Sequence, residues 1–206
     1  MPDKSRANAP SLRVTVAAAL LALLWLAMLT AGTGPADDAI LHALYAGGHP
    51  LLAPIARGFT LLGEAVFLIA LGVAFALFLW AKGRGRYGLV VIAVTLLGRG
   101  LVEAQKYGIA RLRPEDEVHL VPVSTPSFPS GHASSSMIVY LTLALVLASG
   151  TRWKRPAVAA ALVLSFCIGL SRVMLGVHWP TDVIGGWAFG LLWVLLALPL
   201  AERLAS

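Results

Sequence analysis

Long apolar runs, each close to the thickness of a bilayer's hydrocarbon interior, alternate along this chain with short polar breaks. The runs cover residues 14–32, 59–81, 87–105, 133–149, 157–170 and 183–201. At about 1.5 Å rise per residue, roughly 19 helical residues cross the ~30 Å hydrocarbon core. The second run carries only Glu64, the third Arg99 and Glu103, and the other four carry no charge. The fifth is short, and the pattern extends it into Ser171-Arg172. The first exceeds the usual length of a signal-peptide core and lacks a small-x-small cleavage site before a polar start. An all-α bundle of six transmembrane helices is expected, as a single domain over residues 1–206 with no internal repeat or dividing linker. Between the first two runs, Ile40, Leu41, Leu44 and Tyr45 recur at helical spacing behind Asp37 and Asp38. That spacing predicts a short amphipathic helix over 37–45 lying at the interface, ended by Gly47-Gly48-His49-Pro50. Residues 1–11 are polar and read as disordered. The turns around 82–86 and 150–155 are short, so the runs they join are antiparallel neighbours.

Composition agrees with a membrane protein: 58% of residues are hydrophobic and the mean hydropathy is +0.82. Charge then orients the chain. Lys4, Arg6, Arg13, Lys82, Arg84, Arg86, Arg152, Lys154, Arg155 and Arg203, ten of the sixteen cations, fall on one side of the predicted bundle. Arg57, Lys106, Arg111, Arg113 and Arg172 fall on the other, and Arg99 lies within a run. The positive-inside rule places both termini in the cytoplasm, with residues 1–13 as a cytoplasmic tail. The net charge of +6 therefore reads as topology plus anion binding. Nucleic-acid binding is not expected, because no Lys/Arg stripe carries interleaved aromatics. A single cysteine, Cys167, excludes an intrachain disulfide and speaks against a thiol nucleophile.

Three polar islands remain, and the predicted topology puts all three at the extracytoplasmic end. Desolvated charges are costly there unless paired or wetted, so such residues mark function. In the first island, Lys106 and Arg113 lie two helical turns apart. Pro114 biases Arg113 out of helix, so the helix is expected to end there and Arg113 to fold back toward Lys106. Together they suit a dianion clamp. In the second, Ser130 is a good N-cap between Pro129 and Gly131, with His132 in the first turn, and a helix N-terminus attracts anions. In the third, Ser171-Arg172 precedes His178 and Asp182, and Pro180 suits the first turn of the last helix. A carboxylate on one imidazole nitrogen leaves the other as a lone-pair nucleophile or base. Each island alone also fits an ordinary role: a snorkelling pair, a capped helix, or a carboxylate complementing a helix dipole. Together, with complementary residue types at one face, they read as an anion-handling catalytic site. A metal centre is not expected, because Lys106, Arg113 and Arg172 would repel a cation.

The set Lys106-x6-Arg113-Pro114, Pro129-Ser130-Gly131-His132 and Ser171-Arg172-x5-His178-x3-Asp182 resembles the type 2 phosphatidic acid phosphatase (PAP2) superfamily. The motifs span residues 106–182, and the six-helix plan extends the likeness over nearly the whole chain. The resemblance implies a metal-independent, cofactor-free phosphatase of the bacterial inner membrane, acting outside the cytoplasm on a lipid phosphate. It implies that His178 attacks phosphorus to form a phosphohistidine, that Asp182 orients it, and that His132 protonates the leaving group and then activates water. Lys106, Arg113, Ser130, Gly131 and Arg172 would bind the phosphate. The leading substrate is a polyprenyl carrier diphosphate such as undecaprenyl diphosphate. Phosphatidate, phosphatidylglycerol phosphate, transfer to another acceptor, or a non-catalytic lipid-binding protein are the alternatives. A vanadate-dependent haloperoxidase, which shares the family's site, is disfavoured by the membrane spans. Outside the motifs, Arg99, Glu103 and Lys106 share a helical face, so Glu103 is expected to pair with either cation. Glu64 and Ser171 are candidates for supporting contacts, with a structural ion pair favoured for Glu64. Glu115-Asp116-Glu117, His42, His49 and His119 read as ordinary solvated positions.

Overall fold

The computed structural model describes residues 11–205, and eight helices account for most of them. They are α1 (Leu12–Ala31), α2 (Pro35–Leu44), α3 (Leu52–Leu61), α4 (Ala65–Ala81), α5 (Gly85–Ile109), α6 (Gly131–Leu147), α7 (Lys154–Met174) and α8 (Pro180–Ala205). The N-terminal segment expected to be disordered lies outside the described residues, except Ser11, whose hydroxyl oxygen accepts from the Val14 amide at the start of α1. Helices α1, α5, α7 and α8 are long and apolar enough to cross a membrane. The fifth run does extend through Ser171-Arg172, and the sixth helix does begin at Pro180.

The second run is not one straight span. It divides into α3 and α4, bent by 44° at Leu62-Gly63-Glu64. Glu64 caps α4 in an extended conformation (φ −62°, ψ 140°), and the Tyr140 hydroxyl donates to the Leu62 carbonyl at 2.8 Å. A carbonyl freed by the break is thereby satisfied, which lets irregular backbone persist inside the bundle. Helix α6 is shorter, at 17 residues. It packs against α4, α5, α7 and α8 and buries Ser134, Ser135, Ser136 and Thr142 together with Ile138, Leu141 and Val146.

Small residues set the distance between α6 and α8. A Cβ built on Gly186 would lie 2.9 Å from the Ser130 carbonyl oxygen and 3.0 Å from Ala133 Cβ. One on Gly190 would lie 2.8 Å from Met137 Cβ. These glycines, four residues apart on one face, let the first turns of the two helices touch. The Ser130 amide consequently donates to the Asp182 carbonyl at 2.9 Å, which joins the second polar island to the third.

Two further expectations are corrected. Helix α5 stops at Ile109, with Ala110 left-handed (φ 53°), not at Arg113. Proline restricts only the residue before it, so Pro114 could not mark an end five residues upstream. The amphipathic helix spans Pro35–Leu44 instead of 37–45, and its Leu41 is fully buried against Ala133, Val173, Trp179 and Val183. This seat holds α2 on the end of the bundle where the polar islands meet.

Candidate active site

A cavity of about 220 Å³ opens at that end. The α3–α4 break contributes Glu64 to its wall, α5 contributes Arg99, Glu103 and Lys106, and the loop after α5 contributes Arg113 and Thr125. Gly131 and His132 come from the start of α6, Arg172 from the end of α7, and His178 from the turn before α8. Residues separated by more than a hundred positions thus converge on one space.

His178 is 1% exposed and Asp182 fully buried. Their Nδ1 and Oδ2 atoms are 3.3 Å apart. Asp182 Oδ2 also accepts from the Trp179 amide at 3.0 Å and from the Ser127 hydroxyl, while Oδ1 accepts from Arg111 Nη1 at 2.9 Å. On the other side of the ring, Arg113 Nη1 lies 3.2 Å from His178 Nε2. Guanidinium nitrogens only donate, so Nε2 must present a lone pair and Nδ1 the proton directed at Asp182. Burial first, then the positive charges of Arg113, Lys106 and Arg172, hold the His178 pKa well below its ordinary value. The geometry and the electrostatics agree: a neutral imidazole with an unprotonated Nε2 at the cavity wall.

The cations are held mainly by neutral atoms. Lys106 Nζ donates to the Pro126 carbonyl at 2.6 Å. Arg113 Nε donates to the Thr125 carbonyl at 2.8 Å, and its Nη1 also donates to the Val177 carbonyl. Arg172 Nη1 donates to Thr60 Oγ1 at 2.6 Å, and its Nε is buried without a hydrogen-bond partner. Carbonyls and hydroxyls aim these side chains without neutralising them, so their charge remains for an anion. The first-turn amides of α6 border the same space and suit phosphate oxygens. A Cβ on Gly131 would sit 3.4 Å from Lys106 Cε, an ordinary contact that places this turn directly beside the lysine side chain. Ser130 occupies the N-cap position but makes no side-chain capping bond, and its buried Oγ lacks a partner.

His132 Nε2 lies 3.3 Å from Glu64 Oε1. Glu64 therefore meets a candidate catalytic imidazole at the cavity wall, so its ion pair borders the site and is not purely structural. Glu103 pairs with Arg99 at 3.0 Å. Ser171 donates to the Ile168 carbonyl at 2.6 Å and does not line the cavity. Glu115 and Asp116 are exposed, but Glu117 binds His42 Nδ1 at 2.8 Å, and His119 Nε2 binds the Pro114 carbonyl at 2.7 Å. Loop 114–121 is thus tied down by three residues expected to be simply solvated, Glu117, His42 and His119, while His49 is exposed. Sequence reasoning did not single out Thr60, Arg111, Thr125 or Ser127, since each supports another residue's side chain and belongs to no motif. Among the described residues, no group of three or more His, Cys, Asp or Glu is placed to hold a metal ion.

A family model described as the PAP2 superfamily matches residues 84–205, which include every motif residue above. The chain belongs to the PAP2 superfamily. It is 35% identical over 173 residues to phosphatidylglycerophosphatase B of Bacillus subtilis, covering 82% of this chain and 85% of that one. It is 34% identical over 142 residues to an undecaprenyl-diphosphatase of Sulfolobus acidocaldarius, covering 64% and 66%. The crystal structure of a transmembrane PAP2 type phosphatidylglycerolphosphate phosphatase from Bacillus subtilis matches with a TM-score of 0.79 at 32% identity, over 90% of this chain and 96% of that chain. This PAP2 protein is a membrane lipid phosphatase, with motif residues Lys106, Arg113, Gly131, His132, Arg172 and His178 lining one cavity.

Proposed function

We propose that this phosphatase removes phosphate from a lipid phosphate or diphosphate in two displacements through His178. The observation that carries the reading is the neutral, Asp182-bonded imidazole whose Nε2 already accepts from Arg113. In the first step the Nε2 lone pair attacks phosphorus, an N–P bond forms, and the P–O bond to the leaving group breaks. His132 gives its proton to the departing oxygen. In the second step His132 takes a proton from water, the resulting hydroxide attacks phosphorus, and the N–P bond breaks to release phosphate and neutral His178. Lys106, Arg113 and Arg172, with the α6 amides, hold the non-bridging oxygens as charge redistributes. Every step uses protein groups and water alone, without metal or cofactor.

The preferred substrate in this reading is a polyprenyl diphosphate, such as undecaprenyl diphosphate. Lys106, Arg113 and Arg172 face the cavity without a carboxylate partner, and a diphosphate brings matching charge. One relative is named an undecaprenyl-diphosphatase. Phosphatidylglycerol phosphate is the second reading, supported by the name of the Bacillus subtilis relative. For topology, α3–α4 and the enclosed α6 count as spans alongside the four long helices. The cations of the α4–α5 and α6–α7 turns then face the cytoplasm with both termini, and the site faces outward from the bacterial inner membrane.

The test is kcat/KM for purified protein with undecaprenyl diphosphate, phosphatidylglycerol phosphate and phosphatidate in matched micelles, with His178→Ala as control. The diphosphate should rank first, vanadate should inhibit, EDTA should not, and His178→Ala should be inactive. Turnover by His178→Ala would overturn the mechanism, and a higher kcat/KM for a glycerophospholipid would overturn the substrate.

A further inference from the structure

We infer that Arg111 is a positioning residue for the nucleophile, acting through Asp182 and anchored on the end of α1. It lies outside the three motifs and does not line the cavity, so it has no part in holding phosphate. Its contacts instead face the back of the catalytic pair. Arg111 Nη1 donates to Asp182 Oδ1 at 2.9 Å and to Thr181 Oγ1 at 3.2 Å. Nη2 donates to the carbonyls of Met28 and Leu29 at 3.1 and 2.7 Å. The guanidinium carbon sits over the Phe128 ring, 4.3 Å from its centroid.

Each partner is what a buried guanidinium requires. Met28 and Leu29 lie in the last turn of α1, where helix carbonyls lack intrahelical partners and the dipole is negative. Asp182 is fully buried, so its charge needs a fixed counter-charge. Asp182 divides its two oxygens: Oδ1 goes to Arg111, and Oδ2 to His178, Ser127 and the Trp179 amide. Fixing Oδ1 therefore fixes the plane of the carboxylate, and with it the direction from which Oδ2 meets His178 Nδ1. Thr181 extends the brace, since its hydroxyl and amide both bond Asp37 at the start of α2 (2.6 and 3.0 Å). Helix α1 buries none of its own residues yet supplies the carbonyls on which this brace rests.

The inference depends on the reading of His178 as nucleophile, and one double-mutant cycle tests the two separately. Full-length Arg111→Met, Arg111→Lys, Asp182→Asn and Arg111→Met/Asp182→Asn are assayed with undecaprenyl diphosphate in micelles, beside His178→Ala and a thermal melt of each. Arg111→Met should lower kcat by about 100-fold, the scale of removing one partner from a buried ion pair, with KM within about threefold. Arg111→Lys should restore part of that loss. In the Asp182→Asn background, Arg111→Met should cost no more than about threefold further, because it acts through the group already altered. Should Arg111→Met fail to fold, Arg111→Lys takes its place in the cycle and must show the same disappearance of its deficit. Additive losses, or a raised KM at unchanged kcat, would overturn the inference. Turnover by His178→Ala would instead overturn the nucleophile, whatever the cycle shows.

Discussion

Thr60→Val isolates how the site aims its third cation. Arg172 is 3% exposed and its Nη1 donates to Thr60 Oγ1 at 2.6 Å, while its Nε has no partner. Thr60, itself 3% exposed, lies on α3, so this bond fixes the end of α7 against the short helix before the break. Valine fills nearly the same shape without the hydroxyl. A hydrogen bond to a charged group contributes about 1.5–3 kcal/mol, which corresponds to about 10- to 100-fold in rate at ~1.4 kcal/mol per decade. The structure places that loss on phosphate handling, since a guanidinium free to pivot meets the phosphoryl oxygens at the wrong angle. The assay compares kcat/KM for wild type, Thr60→Val and Thr60→Ser on one lipid phosphate, with a thermal melt of each. Thr60→Val should lose about 10- to 100-fold, and Thr60→Ser, which keeps the hydroxyl, should stay within about threefold. A folded Thr60→Val enzyme with wild-type kcat/KM would refute the role given to this bond.

Three further outcomes follow from the same geometry. His178 should stay neutral between pH 8 and 6 in site-specific nitrogen NMR, whereas an ordinary histidine would be about three-quarters protonated at pH 6. The linked sign is that the unfolded chain gains a proton near pH 6.5 that the folded chain does not, so His178's contribution to stability falls as pH drops below about 6.5. A Cβ on Gly63 would lie 2.8 Å from His132 Cδ2 and 2.5 Å from Ile168 Cγ2. Gly63→Ala should therefore push the proton donor aside and lower kcat by about tenfold or more, and an unchanged kcat would contradict that placement of His132. Tyr140→Phe leaves the Leu62 carbonyl of the α3–α4 break without its hydroxyl donor. It should cost about 1 kcal/mol and lower Tm by about 2–4 °C, read by thermal unfolding in detergent.

Apolar run length predicted four helices long enough to cross a membrane, α1, α5, α7 and α8, because hydrocarbon thickness constrains length directly. The motif residues were equally legible, since buried charge in such a chain is rare enough to stand out. What escaped was geometry that hydropathy does not encode. Leu62-Gly63-Glu64 is short and mostly apolar, so the 44° break between α3 and α4 leaves no trace in a run average, and Glu64 appeared to lie within a span. The early end of α5 had no proline to announce it. Arg111, two residues from motif Arg113, read as one more outer-side cation because its partners, Asp182, Met28 and Leu29, are more than seventy residues away. Ser127 and Thr60 were hidden for a simpler reason: hydroxyls are common in loops and helices, and only contact distances reveal which carboxylate or guanidinium they serve.

Trapping the enzyme during turnover tests the phosphohistidine most directly. Wild-type protein is mixed with substrate labelled at the transferred phosphorus, quenched in alkali within one turnover, and digested. An alkali-stable, acid-labile label should appear on the peptide containing His178, decay with the rate of phosphate release, and be absent from His178→Ala. Phosphate release without labelled protein at any time, or a label on a different residue, would contradict the two-step reaction at His178.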